Sequence, residues 1–262
     1  MKRILVTGAG GGIGSATVRR YAADLGSRCA LLLTDVDGAA LDSAAAAARE
    51  AGATVETVRG DMAEAELPGR LVDIASARLG GLDIIVSNAG TTRRGLLVDQ
   101  DEENWDAVMN VNARAFWRIA RAGHRLLKES RGSLVAVASI AASAPNPGTG
   151  FYSASKATLL SLVSQLGLEW ALDGIRVNAV SPGVTLTPLN AHQYEDASLK
   201  ARREDLVPLR RFATPDEIAA AIVFLAGPGA QFCQGYNLVV DGGLLPSVLA
   251  HSLPPVGARR TG

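Results

Sequence analysis

Seven short apolar runs, at 3–7, 29–34, 54–58, 83–87, 132–138, 175–180 and 237–240, alternate along the chain with longer stretches at 38–51, 64–80, 101–129, 151–173 and 215–226. Runs of Val, Ile and Leu of this length read as strands buried on both faces. Parallel neighbours need crossover helices of a dozen or more residues, and the longer amphipathic or alanine-rich stretches supply them. The pattern predicts an α/β fold, a doubly wound parallel sheet of about seven strands with helices on both faces.

No Pro/Gly/Ser-rich linker, charge block or clear internal repeat divides the 262 residues, so one domain is expected over 1–243, with 244–262 as a C-terminal extension. The alanine run 44–48 suits a helix. Twenty-six basic residues balance twenty-six acidic ones, which leaves no global field for nucleic acid or an anionic membrane, so recognition has to be local. No apolar run approaches a membrane span, and MKRILVTG carries no signal-peptide core, so a cytoplasmic location is expected. Cys29 and Cys233 form no CxxC or Cys/His cluster; they read as small buried hydrophobes, with no metal site. Two stretches break the regular pattern. Residues 184–208 read as a lid, and the last residues, PPVGARRTG, as a mobile tail.

The first strand runs directly into TGAGGGIG, residues 7–14, and then into a helical run. Gly8, Gly10, Gly12 and Gly14, with Ile13, place bare backbone N–H groups at a helix N-terminus, where unpaired donors and the helix dipole favour a phosphate. The spacing is T-G-x-x-x-G-x-G rather than G-x-G-x-x-G, and a plain flexible turn is the competing reading. Asp35, twenty-one residues beyond Gly14 at the end of the next strand, favours a dinucleotide because its carboxylate can accept hydrogen bonds from a ribose diol. A 2′-phosphate would meet that carboxylate with no basic residue in the glycine loop or at Thr34 and Val36, so NAD is expected over NADP. Asp35 as N-cap of the helix beginning near Asp37 is the alternative.

Tyr152 and Lys156, four residues apart in a helical segment, project from one face. Ser139 ends the strand SLVAVAS at the carboxyl edge, where open α/β sheets bind ligands, and Asn112 closes MNVN in an earlier helix. Taken singly, Ser139 can be a turn cap, Asn112 the satisfaction of a backbone kink, and Tyr152 helix surface. Together with Thr7–Gly14, the S-N-A-G run at 87–90, and Pro182-Gly183, in this order from residue 3 to about 243, the chain resembles the short-chain dehydrogenase/reductase family.

That resemblance implies a Rossmann-like domain, hydride transfer between a nicotinamide and a carbonyl or alcohol, and a tetrad of Asn112, Ser139, Tyr152 and Lys156. A Tyr working as acid and base near neutral pH needs its phenolate stabilised; three pK units would be about 4 kcal/mol, more than an exposed ion pair supplies. Lys156 has the right sign, with help required from the nicotinamide charge and a dry site. By resemblance, Lys156 also binds the nicotinamide ribose and Asn112 holds a water that links it to solvent. Likewise by resemblance, Asp61 accepts from the adenine amino group with Met62 beside it; Asn88, Ala89 and Gly90 line the adenosine; and Pro182, Gly183, Val184 and Thr187 meet the carboxamide end. Ser87 departs from the family's usual Asn, and the extension after Asp241-Gly-Gly has no assigned role.

Substrate is met by loops 91–98, 140–151 and 184–208. Arg93-Arg94 fit a phosphate or carboxylate but equally a solvated surface. The small residues of AASAPNPGTGF imply a roomy pocket, and His192, Gln193 and Tyr194 favour a polar substrate. The expected partner is a small secondary alcohol or ketone, such as a polyol, sugar or cyclic alcohol, turned over with NAD(H) by a homo-oligomer, dimer or tetramer. The resemblance brings in this oligomer through 101–129, 151–173 and 215–243. A 3-oxoacyl-thioester reductase and a non-catalytic dinucleotide-binding regulator are the alternatives.

Overall fold

A computed structural model describes residues 1–187 and 191–247, apart from the side chains of His192 and Gln193. Its seven strands are β1 Lys2–Thr7, β2 Cys29–Asp35, β3 Thr54–Arg59, β4 Ile84–Ser87, β5 Ser133–Val137, β6 Arg176–Pro182 and β7 Asn237–Val240. They form one sheet, in the order β3-β2-β1-β4-β5-β6-β7, with every pair parallel. All seven expected strands are present. The chain winds outward from β1 to β3 and then returns to place β4 on the other side of β1, which puts the topological switch between β1 and β4.

The described residues also form eight α-helices: α1 Gly12–Leu25, α2 Gly38–Glu50, α3 Leu67–Ile74, α4 Glu102–Met109, α5 Ala115–Ser130, α6 Tyr152–Trp170, α7 Ala197–Glu204 and α8 Pro215–Ala226. Two apolar layers sandwich the sheet, because alternate residues of each strand point to opposite faces. Leu5, Leu32, Ile85 and Leu134 face Leu71, Phe116, Ile119 and Val163 from α3, α5 and α6. Ile4, Val6, Leu31 and Leu33 face Val18, Leu41, Ala45 and Ile222 from α1, α2 and α8.

Two stretches expected as continuous helices are interrupted. Residues 64–80 become α3 plus a π-helical turn at Ala75–Leu79, and 101–129 become α4, a π-helical turn at Asn110–Arg114, and α5. The second turn is explained by Asn112, whose side chain is held by a neighbouring loop; an inserted residue of this kind is how helices turn a side chain out of the regular repeat. The stretch 184–208, set apart as irregular, holds a 3-10 turn at Ala191–Tyr194 and α7, which Asp196 caps through the Ser198 and Leu199 N–H groups. Cys29 is buried as expected, but Cys233 is only half-buried. Residues 248–262, most of the C-terminal extension and all of the tail PPVGARRTG, lie outside the described residues, as do Pro188 and the His192 and Gln193 side chains.

Candidate active site

The loops after β1 and β4 meet at the switch point. Gly8 has φ +63, in the region that favours glycine, and a Cβ there would lie 2.9 Å from the Ala89 backbone. A Cβ on Gly14 would run into the Gly8 carbonyl. The loop is braced from both sides. Thr7 Oγ1 accepts from the Asn88 and Ala89 N–H groups, each at 3.1 Å, and Asn88 Nδ2 donates to the Gly8 carbonyl at 2.8 Å. Gly11 is the N-cap of α1, which has no side-chain cap and no acidic residue in its first turn. Its leading N–H groups at Gly12, Ile13 and Gly14 therefore form a cradle with the polarity for a phosphate, and the residues present fit a dinucleotide.

Asp35 does not cap α2. That role falls to Asp37, which accepts from Ala39 and Ala40. The Asp35 carboxylate instead accepts from the Gly10 N–H at 2.9 Å and the Asp37 N–H at 3.0 Å. Two backbone donors hold it in place beside the cradle while part of its acceptor capacity stays open. The expectation that no basic residue stands near needs correction. Sheet register pairs Asp35 with Arg59, and Arg59 Nε donates to the Val36 carbonyl at 3.1 Å. A search confined to sequence neighbours misses a residue brought in by the next strand. Asp61 is exposed just beyond β3 and accepts from the Ala63 N–H, whereas the Met62 side chain is buried in the core, leaving its backbone for any ligand contact.

Four side chains converge at the carboxyl ends of β4 and β5. Ser139 follows β5 and caps a 3-10 turn by accepting from the Ala141 N–H at 3.1 Å. Its hydroxyl lies close enough to Tyr152 to pull the phenol pKa down against burial. One turn along α6, the Lys156 ammonium lies 5.7 Å from the Tyr152 ring centroid and donates to the Val137 carbonyl at 2.8 Å. Lys156 is only 3% exposed, and burial pulls its pKa down to about 8. Burial also pushes the Tyr152 phenol up, against the smaller pull of the Ser139 hydroxyl. Both shifts disfavour charge, so these two groups sit in a site of low polarity.

Asn112 is 2% exposed and its amide is occupied. Oδ1 accepts from the Thr91 N–H at 2.8 Å, and Nδ2 donates to the Thr91 carbonyl and to Ser155 Oγ, each at 2.9 Å. The side chain thus pins the loop after β4 to α6 and supports the kinked helix, while Oδ1 keeps one acceptor site open. Gly90 lies between these groups: a Cβ there would come within 3.3 Å of Asn112 Oδ1 and 3.4 Å of Lys156 Nζ. Pro182 ends β6, the Gly183 N–H donates to Val240, and Val184 and Thr187 follow on the same edge. The sequence reading did not single out Thr91, Ser155 or Val137, because their contributions are backbone or support contacts that no motif records.

The substrate loops are tied together. The Gly95 N–H donates to the Gly148 carbonyl and the Gly150 N–H to the Gly95 carbonyl, and Trp105 meets Phe151 edge-on at 5.0 Å between centroids. Arg93 and Arg94 are exposed on this rim. Within 184–208, Tyr194 packs at a tilt against Phe212, 4.8 Å between centroids, and its hydroxyl accepts from Arg203. Among the described residues no group of His, Cys, Asp and Glu could hold a metal ion, and no helix is long and apolar enough to cross a membrane.

A glycine cradle at the switch point thus stands beside a Ser-Tyr-Lys cluster in which Lys156 is buried and Ser139 and Tyr152 are partly exposed, a pairing suited to a bound nucleotide with proton transfer next to it. Residues 8–245 match the family model described as enoyl-(acyl carrier protein) reductase. The chain is 36% identical over 246 residues to D-threitol dehydrogenase of Mycolicibacterium smegmatis, covering 92% of each protein. It is 34% identical over 247 residues to a 3-oxoacyl-[acyl-carrier-protein] reductase of Thermotoga maritima, covering 93% of this chain and 98% of that one. A solved structure from Sinorhizobium meliloti, described as a short-chain alcohol dehydrogenase, superposes with a TM-score of 0.88 at 31% identity, over 94% of this chain and 97% of that one. The chain belongs to the short-chain dehydrogenase/reductase family, whose members use a nicotinamide cofactor.

Proposed function

We propose that this chain is an NAD(H)-dependent dehydrogenase that oxidises a secondary alcohol and, in reverse, reduces the ketone. The observation that carries this reading is the Ser139–Tyr152–Lys156 cluster, with Lys156 buried and Ser139 and Tyr152 partly exposed, one loop away from the glycine cradle. Oxidation removes a hydride from carbon and a proton from oxygen, and a bound nicotinamide supplies the hydride acceptor. Ser139 holds the substrate oxygen against Tyr152 Oη, which takes the proton. Lys156 lowers the cost of the phenolate and reaches the nicotinamide ribose. Asn112 fixes the loop and helix around them.

Gly8, Gly10, Gly12, Ile13 and Gly14 hold the pyrophosphate. Asp35 takes the adenosine ribose, and Asp61, Met62, Asn88, Ala89 and Gly90 the adenine side. Pro182, Gly183, Val184 and Thr187 take the carboxamide end. The anchored Asp35 carboxylate supports NAD over NADP. Similarity to a tetritol dehydrogenase supports a polyol among the sugars and cyclic alcohols considered. Similarity to an acyl-carrier-protein reductase supports the second reading, reduction of a 3-oxoacyl thioester. A cytoplasmic homo-oligomer completes the proposal.

The test is Tyr152→Phe. General acid–base groups contribute about 10²–10⁴-fold, so turnover should fall by at least about a hundredfold while NADH binding, read by its fluorescence, is retained. Unaltered turnover would remove Tyr152 from the chemistry. A binding-only regulator predicts no turnover in either protein across alcohols and hydroxyacyl thioesters.

A further inference from the structure

Arg59 is the last residue of β3 and lies in register with Asp35, the last residue of β2. Residues paired this way in a parallel sheet point to the same face, so both side chains stand at the carboxyl edge on the α1/α2 side. The Arg59 Nε is tied to the Val36 carbonyl at 3.1 Å. Its Cδ would lie 3.2 Å, and its Cζ 3.8 Å, from a Cβ on Gly38. The guanidinium therefore lies along the turn at 36–38 that carries the chain out of β2, just after Asp35 in sequence. Val36 within this turn is 60% exposed, which leaves room over it.

Among the described residues, Arg59 forms no ion pair, and its one hydrogen bond uses Nε alone. The two terminal nitrogens keep their four N–H donors in the planar fork that suits a phosphate. Asp35 cannot swing away from such a phosphate, because Gly10 and Asp37 hold it by two backbone N–H bonds. The edge thus presents a fixed anion and, one strand further out, an uncommitted cation.

We propose that Arg59 is the second half of the ribose subsite and a determinant of dinucleotide choice. Asp35 takes the 2′,3′-diol of NAD(H), and Arg59 takes the 2′-phosphate when the chain binds NADP(H). The preference set by Asp35 is therefore shallow, and the two residues tune it in opposite senses. This rests on the dinucleotide reading above.

The test is calorimetric binding of NADH, NADPH, AMP and adenosine 2′,5′-bisphosphate to the full chain and to Arg59→Ala and Arg59→Lys. Loss of one solvent-facing charge-assisted contact should weaken NADPH and adenosine 2′,5′-bisphosphate about tenfold. NADH and AMP should be unchanged, and Arg59→Lys should restore part of the loss. The NADPH affinity of the unmutated chain should also fall more steeply with salt than that of Arg59→Ala. Equal weakening of NADH and NADPH would reduce Arg59 to a brace of the β2–α2 turn and overturn the proposal, as would no change in either. Failure of the unmutated chain to bind any of the four would overturn the dinucleotide site itself, and this inference with it.

Discussion

At Lys156 two demands conflict. The proposed function asks for an ammonium beside Tyr152, whereas burial disfavours that charge and lowers the pKa from 10.5 to about 8. Below pH 8 the lysine is charged in both folded and unfolded chains, so the full burial penalty is present. As the pH rises from 8 toward 10.5 the folded chain sheds the proton first, and the stability lost to burial returns. Lys156→Met should therefore stabilise the cofactor-free protein at pH 7 by about 1–3 kcal/mol, less than the pKa difference implies because the Val137 carbonyl loses its donor. The advantage should shrink by pH 10, and turnover should be lost. Thermal melts of both proteins at the two pH values would decide it; a destabilised Lys156→Met at pH 7 would show that the hydrogen bond outweighs the charge.

Tyr152, Lys156 and Ser139 could be singled out before the structure because type and spacing mark them, and the fold brings Lys156 to 5.7 Å from the Tyr152 ring centroid. Partner assignments were less legible. The Asp35 carboxylate bonds to Gly10 and the cap is Asp37, two residues on, because a strand end followed by a turn puts either aspartate within reach of N–H groups. The amide of Asn112 is committed to Thr91 and Ser155, contacts made across 21 and 43 residues that no local pattern reports.

At the scale of elements, the β1–α1 junction is rigid because the neighbouring loop fills the space a side chain would need. Gly14→Ala should cost about 1–3 kcal/mol through overpacking and weaken NADH binding with it, since the cradle must open to admit the methyl group. Thr214→Ala gives the contrast. Thr214 and Glu217 form a capping box at the start of α8, and the Arg211 guanidinium with the Thr214 N–H holds the Glu217 carboxyl down at about 2. Removing the cap should cost about 1 kcal/mol in urea unfolding and leave NADH affinity unchanged. If Gly14→Ala binds NADH as the unmutated chain does, the cradle is not where the phosphates lie. Strand positions were readable from apolar runs, but the π-helical turns were not, because the amphipathic pattern continues through Asn110–Arg114 while the backbone gains a residue.

On the scale of the molecule, large apolar side chains stand exposed in the regions expected to meet other copies: Trp117 on α5, Leu168 on α6, Leu172 just beyond it, and Phe224, Phe232 and Tyr236 in 215–243. Large exposed apolar side chains in these regions support the proposed association. Sedimentation should give the mass of a dimer or tetramer, and Leu168→Glu with Phe232→Glu should shift it toward the monomer; a monomeric unmutated chain would refute the assembly. The measurement that bears most directly on the central claim is the appearance of dihydronicotinamide absorbance when the protein is mixed with NAD or NADP and a panel of polyols, sugars, cyclic alcohols and hydroxyacyl thioesters. The account predicts a signal with NAD and a secondary alcohol, weaker with NADP and abolished in Tyr152→Phe. Silence across the panel while NADH still binds, or a signal that survives Tyr152→Phe, would contradict it.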